Sequence, residues 1–242
     1  MAGPPFSTVF FDCDSTLCAL EGIDALAERA GVAEQLAPLT RAAMEGVIPL
    51  QRIYRHRLEV IRPDSGSMAW LGRYYVRTLV EGAGEVVRAL HALEKRVYIV
   101  SGGIRQAVLH VAAALEIPQE RVHAVDLFFN EQGVFCGYDQ RSALVRADGK
   151  ATVCRRLLAN GETAALVGDG MVDIAAQTAG VLFIGFGGVV RRPQVAERAA
   201  IYIDEPSLRP LLPLLLTREE QALLKQAGNL EETDENNKTT TR

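Results

Sequence analysis

The sequence predicts an α/β fold: a doubly wound, mostly parallel sheet with a small helical cap and an inserted β-hairpin. Short apolar runs end in Gly, Asp or Ser and precede helix-period segments, a pattern typical of strands buried on both faces. The runs span residues 8–14, 97–103, 164–170, 181–188 and 200–204. After the second run, apolar residues fall on one helical face at Ile104, Val108, Val111 and Leu115. Strands and helices are therefore predicted to alternate through most of the chain.

Two internal segments break this alternation. Residues 17–83 show helical patterns and no convincing strand, so we predict a helical cap inserted after the first strand of an α/β core. That core would comprise residues 1–16 and 84–228. Residues 125–139 contain two β-rich runs around "NEQG", which predicts the hairpin. Residues 229–242 are polar and are predicted to be disordered.

The composition excludes several classes of protein. A net charge of -4 argues against nucleic-acid binding, since there is no basic excess to displace counterions. No apolar run is long enough to span a membrane, and the start of the chain lacks the features of a signal peptide. The four cysteines have no paired spacing, which favours buried thiols over a zinc site. We expect a cytoplasmic protein. The amphipathic stretch 207–228 is predicted to pack on the core or on a second subunit, so a homodimer is one expectation.

Polar residues follow the predicted strands in an ordered series. They are Asp12 and Asp14, then Ser101, Gly102 and Gly103, then Lys150 at a helix start, and finally Asp169 and Asp173. Each motif alone has an ordinary explanation as a turn, a cap or a solvated side chain. A doubly wound sheet, however, brings the carboxyl ends of its strands together. At least four carboxylates converging there would repel one another without a cation, and Mg²⁺ suits carboxylates combined with a phosphate.

This set of residue types matches the needs of phosphoryl transfer. One carboxylate can attack phosphorus to form an aspartyl-phosphate, and a second can protonate the leaving oxygen and then activate water. A lysine, a hydroxyl and backbone N–H groups can hold the phosphoryl oxygens. The sequence therefore predicts a phosphatase or a phosphotransferase.

The motifs also carry a family resemblance. In this order, "DCDST", "SGG", "DGK" and "GDGMVD" resemble the four motifs of the haloacid dehalogenase superfamily of phosphatases, which has a Rossmann-like core. More narrowly, "FDCDSTLCALEGIDALA", "TRAAMEGVIPL", "RHRLEVIRP" and "FIGFGG" are similar to the phosphoserine phosphatase family. The similarity runs from about residue 7 to about residue 204.

The resemblance implies a role for each matching residue. Asp12 would be the nucleophile and Asp14 the general acid and base. Mg²⁺ would be held by Asp12, the backbone carbonyl of Asp14 and Asp169, with Asp173 in support. The phosphoryl oxygens would be bound by Ser101, Gly102 and Lys150.

The same resemblance implies O-phospho-L-serine as substrate, in the last step of serine biosynthesis. Glu21 would bind its ammonium group and Arg57 its carboxylate, with Gly103 and Met44 also near the ligand. Ordinary explanations stay open at this point. Glu21 can interact with a helix dipole, Arg57 can belong to a solvated basic face, and Met44 can be a core residue.

Other functions stay open as well. The same chemistry can act on another small phosphomonoester or transfer the phosphoryl group to homoserine. A catalytically inactive binding protein on this fold is a further alternative. Two features depart from the family pattern: Val172 stands where many members carry Asn or Thr, and residues 67–85 match less well. That stretch contains Trp70, Tyr74 and Tyr75, for which we expect packing in the cap and consider substrate stacking as the alternative.

Overall fold

The main sheet has six parallel strands. A computed structural model describes residues 5–36, 38 and 50–228 of the chain. The strands are β1 (Thr8–Phe11), β2 (Arg96–Ile104), β3 (Val122–Val125), β6 (Ala164–Gly168), β7 (Leu182–Phe186) and β8 (Ile201–Ile203). Their order in the sheet is β3-β2-β1-β6-β7-β8, so the first strand lies inside the sheet and the chain winds outward in both directions.

Burial explains why the central strands read as continuous apolar runs. Every residue of β1 and of β6 is buried, because helices cover both faces of the sheet. The helix after β2 is α5 (Arg105–Ala114), and the apolar face predicted from the sequence is the face that it buries. The helices of the core are α4 (Ala83–Ala92), α5, α6 (Gly149–Leu157), α7 (Met171–Ile174), α8 (Pro193–Arg198), α9 (Leu212–Leu215) and α10 (Arg218–Gln226).

The register of the central strands determines where the polar loops meet. Phe11, the last residue of β1, pairs with Ile99 of β2 on one side and with Val167 of β6 on the other. The Asp12 backbone N–H donates to the Val167 carbonyl at 2.9 Å. The loop after β1 therefore lies between the ends of β2 and β6.

Helices occupy the described chain between β1 and the core helix α4, as predicted. They include α1 (Gly22–Arg29), α2 (Leu50–Ile61) and α3 (Ser65–Arg77). The chain enters and leaves this insert side by side, since Cys18 and Leu79 form an antiparallel bridge. The Val80 N–H also donates to the Leu17 carbonyl at 2.9 Å. The proposed division into cap 17–83 and core 1–16 plus 84–228 stays a prediction.

The hairpin is present but shorter than predicted. Its antiparallel strands are β4 (Leu127–Phe129) and β5 (Phe135–Tyr138). The edge strand β3 was not predicted, and residue 125, which had been assigned to the hairpin, is its last residue. Strand β3 has only four residues, two of them half-buried, so it lacks the long apolar run that marks the other strands.

The C-terminal stretch packs on the core. Lys95 is buried and its ammonium group lies 2.7 Å from the Phe6 carbonyl and 2.5 Å from Glu220 of α10. Cys13, Cys18 and Cys154 are buried thiols as expected, whereas Cys136 on β5 is exposed, contrary to the prediction. In the described part of the chain, no helix combines the length and the apolar character needed to cross a membrane. Residues 229–242 lie outside the described residues.

Candidate active site

A cavity of about 220 Å³ opens where the carboxyl ends of the central strands meet the helical insert. It brings together every predicted site residue that the structure describes; Met44 lies outside the described residues. The lining consists of Asp12, Asp14, Glu21, Ile23, Tyr54, Arg57, Ser101, Gly102, Gly103, Ile104, Leu144, Arg146, Lys150, Asp169, Gly170, Val172, Asp173 and Arg192.

Lys150 joins two of the buried aspartates. Its ammonium nitrogen lies 2.8 Å from Asp12 Oδ2 and 2.5 Å from Asp173 Oδ1. Burial alone would lower the pKa of Lys150, but the two carboxylates outweigh it and raise that pKa. The ammonium group is therefore charged when it faces the cavity.

The helix that carries Lys150 begins in close contact with the preceding turn. A Cβ at Gly149 would lie 2.1 Å from the Ala143 carbonyl oxygen, which is too close for any side chain. Glycine therefore lets α6 start where Lys150 reaches Asp12. Asp173 stabilises the neighbouring loop, since its Oδ2 accepts a hydrogen bond from the Gly170 N–H at 2.9 Å.

Three aspartates form a cluster that could hold a metal ion. Each of Asp12, Asp169 and Asp173 offers a carboxylate oxygen, and these oxygens lie within 4.8 Å of one another. Burial and the charge of Asp12 raise the pKa of Asp169 to about 6. The pKa of Asp173 is raised to about 7, because burial and the neighbouring carboxylates outweigh the opposing effect of Lys150. Such crowding of buried oxygen ligands fits a hard divalent cation.

Asp14 is held by two hydrogen bonds. Its Oδ1 accepts from the Gly22 backbone N–H at 2.7 Å and from the Tyr75 hydroxyl at 2.6 Å. Burial and the charge of Asp12 nevertheless raise its pKa to about 7. A carboxyl group that titrates near neutral pH is suited to general acid and base chemistry.

The segment after Val100, at the carboxyl end of β2, lies next to these carboxylates. Ser101 is buried, and its hydroxyl oxygen accepts a hydrogen bond from the Gly103 N–H at 3.0 Å. A Cβ at Gly103 would lie 2.7 Å from Asp14 Oδ2, so a side chain there would displace the carboxylate. Glycine at residue 103 thus allows the backbone to approach the cavity closely.

Glu21 and Arg57, the two predicted substrate-binding residues of the insert that the structure describes, line the same cavity. Glu21 precedes α1 and makes no hydrogen bond that caps it; its carboxylate instead accepts from the Ser15 hydroxyl at 2.8 Å. Burial and the charge of Asp14 raise its pKa to about 7. Arg57 lies in α2, with a guanidinium nitrogen 3.5 Å from Asp24 and a side chain only 16% exposed. Arg57 is therefore not part of a fully solvated basic face.

Arg192 is a site residue that the sequence analysis did not identify. It follows β7, and its guanidinium binds Asp169 at 2.8 Å and Glu21 at 3.1 Å. It thus links the aspartate cluster to the insert. The signal was the pair Arg191–Arg192 shortly after a strand end at the same edge of the sheet. Tyr54 and Arg146 were also missed as lining residues.

A family model for haloacid dehalogenase-like hydrolases matches residues 6–179. The chain belongs to this family. The phosphoserine phosphatase of Bos taurus is 36% identical over 199 residues, which cover 81% of this chain and 88% of that protein. Membership of the superfamily and similarity to phosphoserine phosphatases, both predicted from the motifs, are thereby confirmed.

Solved structures agree with this family assignment. A phosphoserine phosphatase structure with an analogue of the phospho-aspartyl intermediate is 26% identical, with a TM-score of 0.71. It covers 88% of this chain and 100% of its own. A substrate-bound phosphoserine phosphatase is 25% identical with a TM-score of 0.72, over the same shares of the two chains. The predicted α/β fold class is confirmed.

Proposed function

We propose that this protein is a Mg²⁺-dependent phosphatase that hydrolyses O-phospho-L-serine to L-serine and phosphate through an aspartyl-phosphate. The observation that carries this proposal is one cavity with two groups of charges. Asp12, Lys150 and Asp169 lie on the core side, and Glu21 and Arg57 on the insert side. The first group suits a phosphoryl group and the second suits the two charges of an amino acid.

Phosphoryl transfer would begin at Asp12. One of its carboxylate oxygens attacks phosphorus, and the bond from phosphorus to the serine oxygen breaks. Asp14 gives its proton to that oxygen, so L-serine leaves as a neutral alcohol. Ser101, Gly102 and Lys150 hold the phosphoryl oxygens and offset their charge.

The second step returns the enzyme to its starting state. A water molecule gives a proton to Asp14 while its oxygen attacks phosphorus, and the bond from phosphorus to Asp12 breaks. Inorganic phosphate leaves, and Asp14 again carries the proton that the next serine oxygen needs. The pKa of about 7 at Asp14 supports both directions of proton transfer.

The metal ion would be held by Asp12, Asp169 and the backbone carbonyl of Asp14. Asp173 would support the site indirectly, since it binds Lys150 and the Gly170 N–H. When bound, Mg²⁺ would neutralise charge on the phosphoryl group and orient it toward the nucleophile.

The substrate would be recognised by its amino-acid end. Glu21 would bind the ammonium group, and the planar guanidinium of Arg57 would bind the carboxylate, a geometry that favours a two-point contact. Gly103 would leave room beside Asp14 for the ligand. Arg192 would keep the Glu21 carboxylate directed toward the cavity through their 3.1 Å ion pair. A homodimer and a cytoplasmic location stay predictions.

Phosphate release from a substrate panel tests the proposal. The panel contains L- and D-phosphoserine, phosphothreonine, phosphoethanolamine, 3-phosphoglycerate and p-nitrophenyl phosphate, each with Mg²⁺. We expect kcat/KM for L-phosphoserine to exceed every other value by about tenfold or more, because each analogue lacks, misplaces or crowds a group that Glu21 and Arg57 would bind.

Two members of the panel are matched controls. Phosphoethanolamine lacks the carboxylate and 3-phosphoglycerate lacks the ammonium group, so each omits the group that one of the two insert residues would bind. Equal efficiency on either compound would contradict the recognition proposed here. The phosphatase chemistry would then stand with a different substrate.

A further inference from the structure

We propose that Tyr75 is a positioning residue that orients the Asp14 carboxylate for proton transfer. This role rests on the proposed function of Asp14 as general acid and base. Tyr75 lies on α3, within residues 67–85, the stretch that matches the family pattern less well than its surroundings. Its ring is completely buried, and its hydroxyl points at Asp14.

The hydrogen bonds to Asp14 are unequally divided between its two oxygens. Oδ1 accepts from the Tyr75 hydroxyl at 2.6 Å and from the Gly22 N–H at 2.7 Å. No hydrogen bond from a described residue reaches Oδ2. That oxygen lies beside Gly103 in the cavity lining, 2.7 Å from where a Cβ would stand. Rotation of the carboxylate would break both hydrogen bonds, so Oδ2 stays turned toward the cavity.

Gly22 makes room for this arrangement. A Cβ at that position would lie 2.0 Å from the Tyr75 hydroxyl oxygen and 3.2 Å from Asp14 Oδ1. No side chain fits there while the tyrosine hydroxyl keeps its place. Glycine at residue 22 and tyrosine at residue 75 therefore act as a matched pair around one carboxylate oxygen.

The helix that carries Tyr75 is anchored along its length. Asp64 caps its first turn through the Ser67 N–H at 2.6 Å. Near the middle, Gly72 packs so tightly on α5 that a Cβ would lie 2.2 Å from a ring carbon of His110. The Thr78 carbonyl, just past the last turn, accepts from the Ala19 N–H at 2.7 Å. The position of the hydroxyl is thus set by packing against the core.

The alternative explanation is that the Tyr75 hydroxyl donates to Asp14 only because a buried hydroxyl needs a hydrogen-bond partner. The two explanations differ in what removal of the hydroxyl does to the reaction. A positioning role affects only the steps in which Asp14 moves a proton.

Those steps can be separated by the choice of leaving group. Departure of serine needs a proton from Asp14, and hydrolysis of the aspartyl-phosphate needs Asp14 to take one from water. Departure of p-nitrophenolate needs no proton, because that anion is stable in water. Loss of positioning should therefore slow the departure of serine and the hydrolysis of the aspartyl-phosphate, but not the departure of p-nitrophenolate.

The test is Tyr75→Phe in the full chain with Mg²⁺, which removes one oxygen and keeps the ring. We expect kcat for L-phosphoserine to fall by about tenfold or more, a part of what general acid–base catalysis contributes. KM should change little. With p-nitrophenyl phosphate in stopped flow, the first turnover should keep its rate while the steady state slows, so a burst of p-nitrophenolate grows relative to the wild type.

Tyr74→Phe is the matched control, since it makes the same change one residue away and its hydroxyl makes no hydrogen bond to Asp14. This control should leave unchanged kcat for L-phosphoserine and both the first-turnover and the steady-state rate with p-nitrophenyl phosphate. Gly22→Ala is an independent second variant, because its Cβ must displace the Tyr75 hydroxyl, and it should give the same burst. If Tyr75→Phe matches the wild type, or slows burst and steady state equally, the positioning role is wrong. Absence of phosphate release by the wild type would instead overturn the proposed function.

Discussion

On the core side of the cavity the charged groups follow parallel strands, whereas on the insert side they come from helices. Asp12 and Asp169 directly follow β1 and β6, and Lys150 lies in the first turn of a helix against them. Glu21 precedes α1, and Arg57 lies in the middle of α2, beside Asp24. The two sides meet through Arg192, which binds Asp169 on one side and Glu21 on the other.

The difference separates chemistry from recognition. The core groups are tied to a sheet whose register leaves little freedom, which suits the precise placement that phosphoryl transfer needs. Glu21 and Arg57 come instead from the start and the middle of insert helices, and together they offer one negative and one positive charge, which suits an amino acid. If this division is correct, core substitutions should impair every substrate alike, and substitutions of Glu21 or Arg57 should impair mainly the amino-acid substrate.

The largest effect is expected from Asp12→Asn on the core side. Loss of the nucleophile should reduce kcat by about 10³-fold or more for L-phosphoserine and p-nitrophenyl phosphate alike. Initial-rate measurements on both substrates check this. Asp126→Asn, the same change at a half-buried residue outside the cavity lining, is the matched control and should retain activity. A loss of activity confined to one of the two substrates would contradict the division between chemistry on the core side and recognition on the insert side.

A smaller and selective effect is expected from Arg57→Ala on the insert side. The lost charged contact should lower kcat/KM for L-phosphoserine by about 10- to 100-fold. For p-nitrophenyl phosphate, which has no carboxylate to bind, the value should be nearly unchanged. Arg55→Ala is the control on the same helix, because Arg55 pairs with Glu59 in solvent. Equal losses on both substrates would show that α2 serves the chemistry as well.

The smallest expected effect concerns metal binding and pH. The pKa of Asp169 is raised to about 6 and that of Asp173 to about 7, so the folded protein holds more protons than the unfolded chain above about pH 4. Stability of the metal-free protein should therefore fall as pH rises toward 7. Since Mg²⁺ needs the unprotonated carboxylates, it should raise the unfolding temperature by about 3 °C at about pH 8 and much less at about pH 5.

Thermal unfolding at matched ionic strength measures this difference. Asp169→Asn is the control, and it should lose the Mg²⁺-dependent shift at both pH values. An equal shift at the two pH values in the wild type would mean that the metal binds outside the aspartate cluster.

Much of the core was predictable because its signals are local. The central strands are recognisable as apolar runs, and Asp12, Ser101 and Asp169 lie near the carboxyl ends of those runs. The edge strand β3 was missed because it is short and half-buried. Four of the five predicted strands were too long at their carboxyl ends, since loop residues that line the cavity are also small or apolar. The exception is β2, which extends one residue past its predicted end, to Ile104.

The insert side was less predictable because its important contacts are distant in sequence. Tyr75 lies 61 residues from Asp14, and Arg192 lies 171 residues from Glu21. In the sequence, Tyr75 is one of two adjacent tyrosines, and Arg192 is one of two adjacent arginines. No periodicity distinguishes the residue that reaches the cavity from its neighbour.

The sequence alone was sufficient for the fold class, the order of the polar motifs and the type of chemistry. Each of these depends on the residues at the end of a strand or on the spacing within one motif, which the chain displays directly. Only the tertiary structure decided which oxygen of Asp14 faces the cavity, which arginine joins Asp169 to Glu21, and why Gly22 carries no side chain. Those features depend on atoms of separate segments within a few ångströms of one another, and packing of the whole chain alone determines such distances.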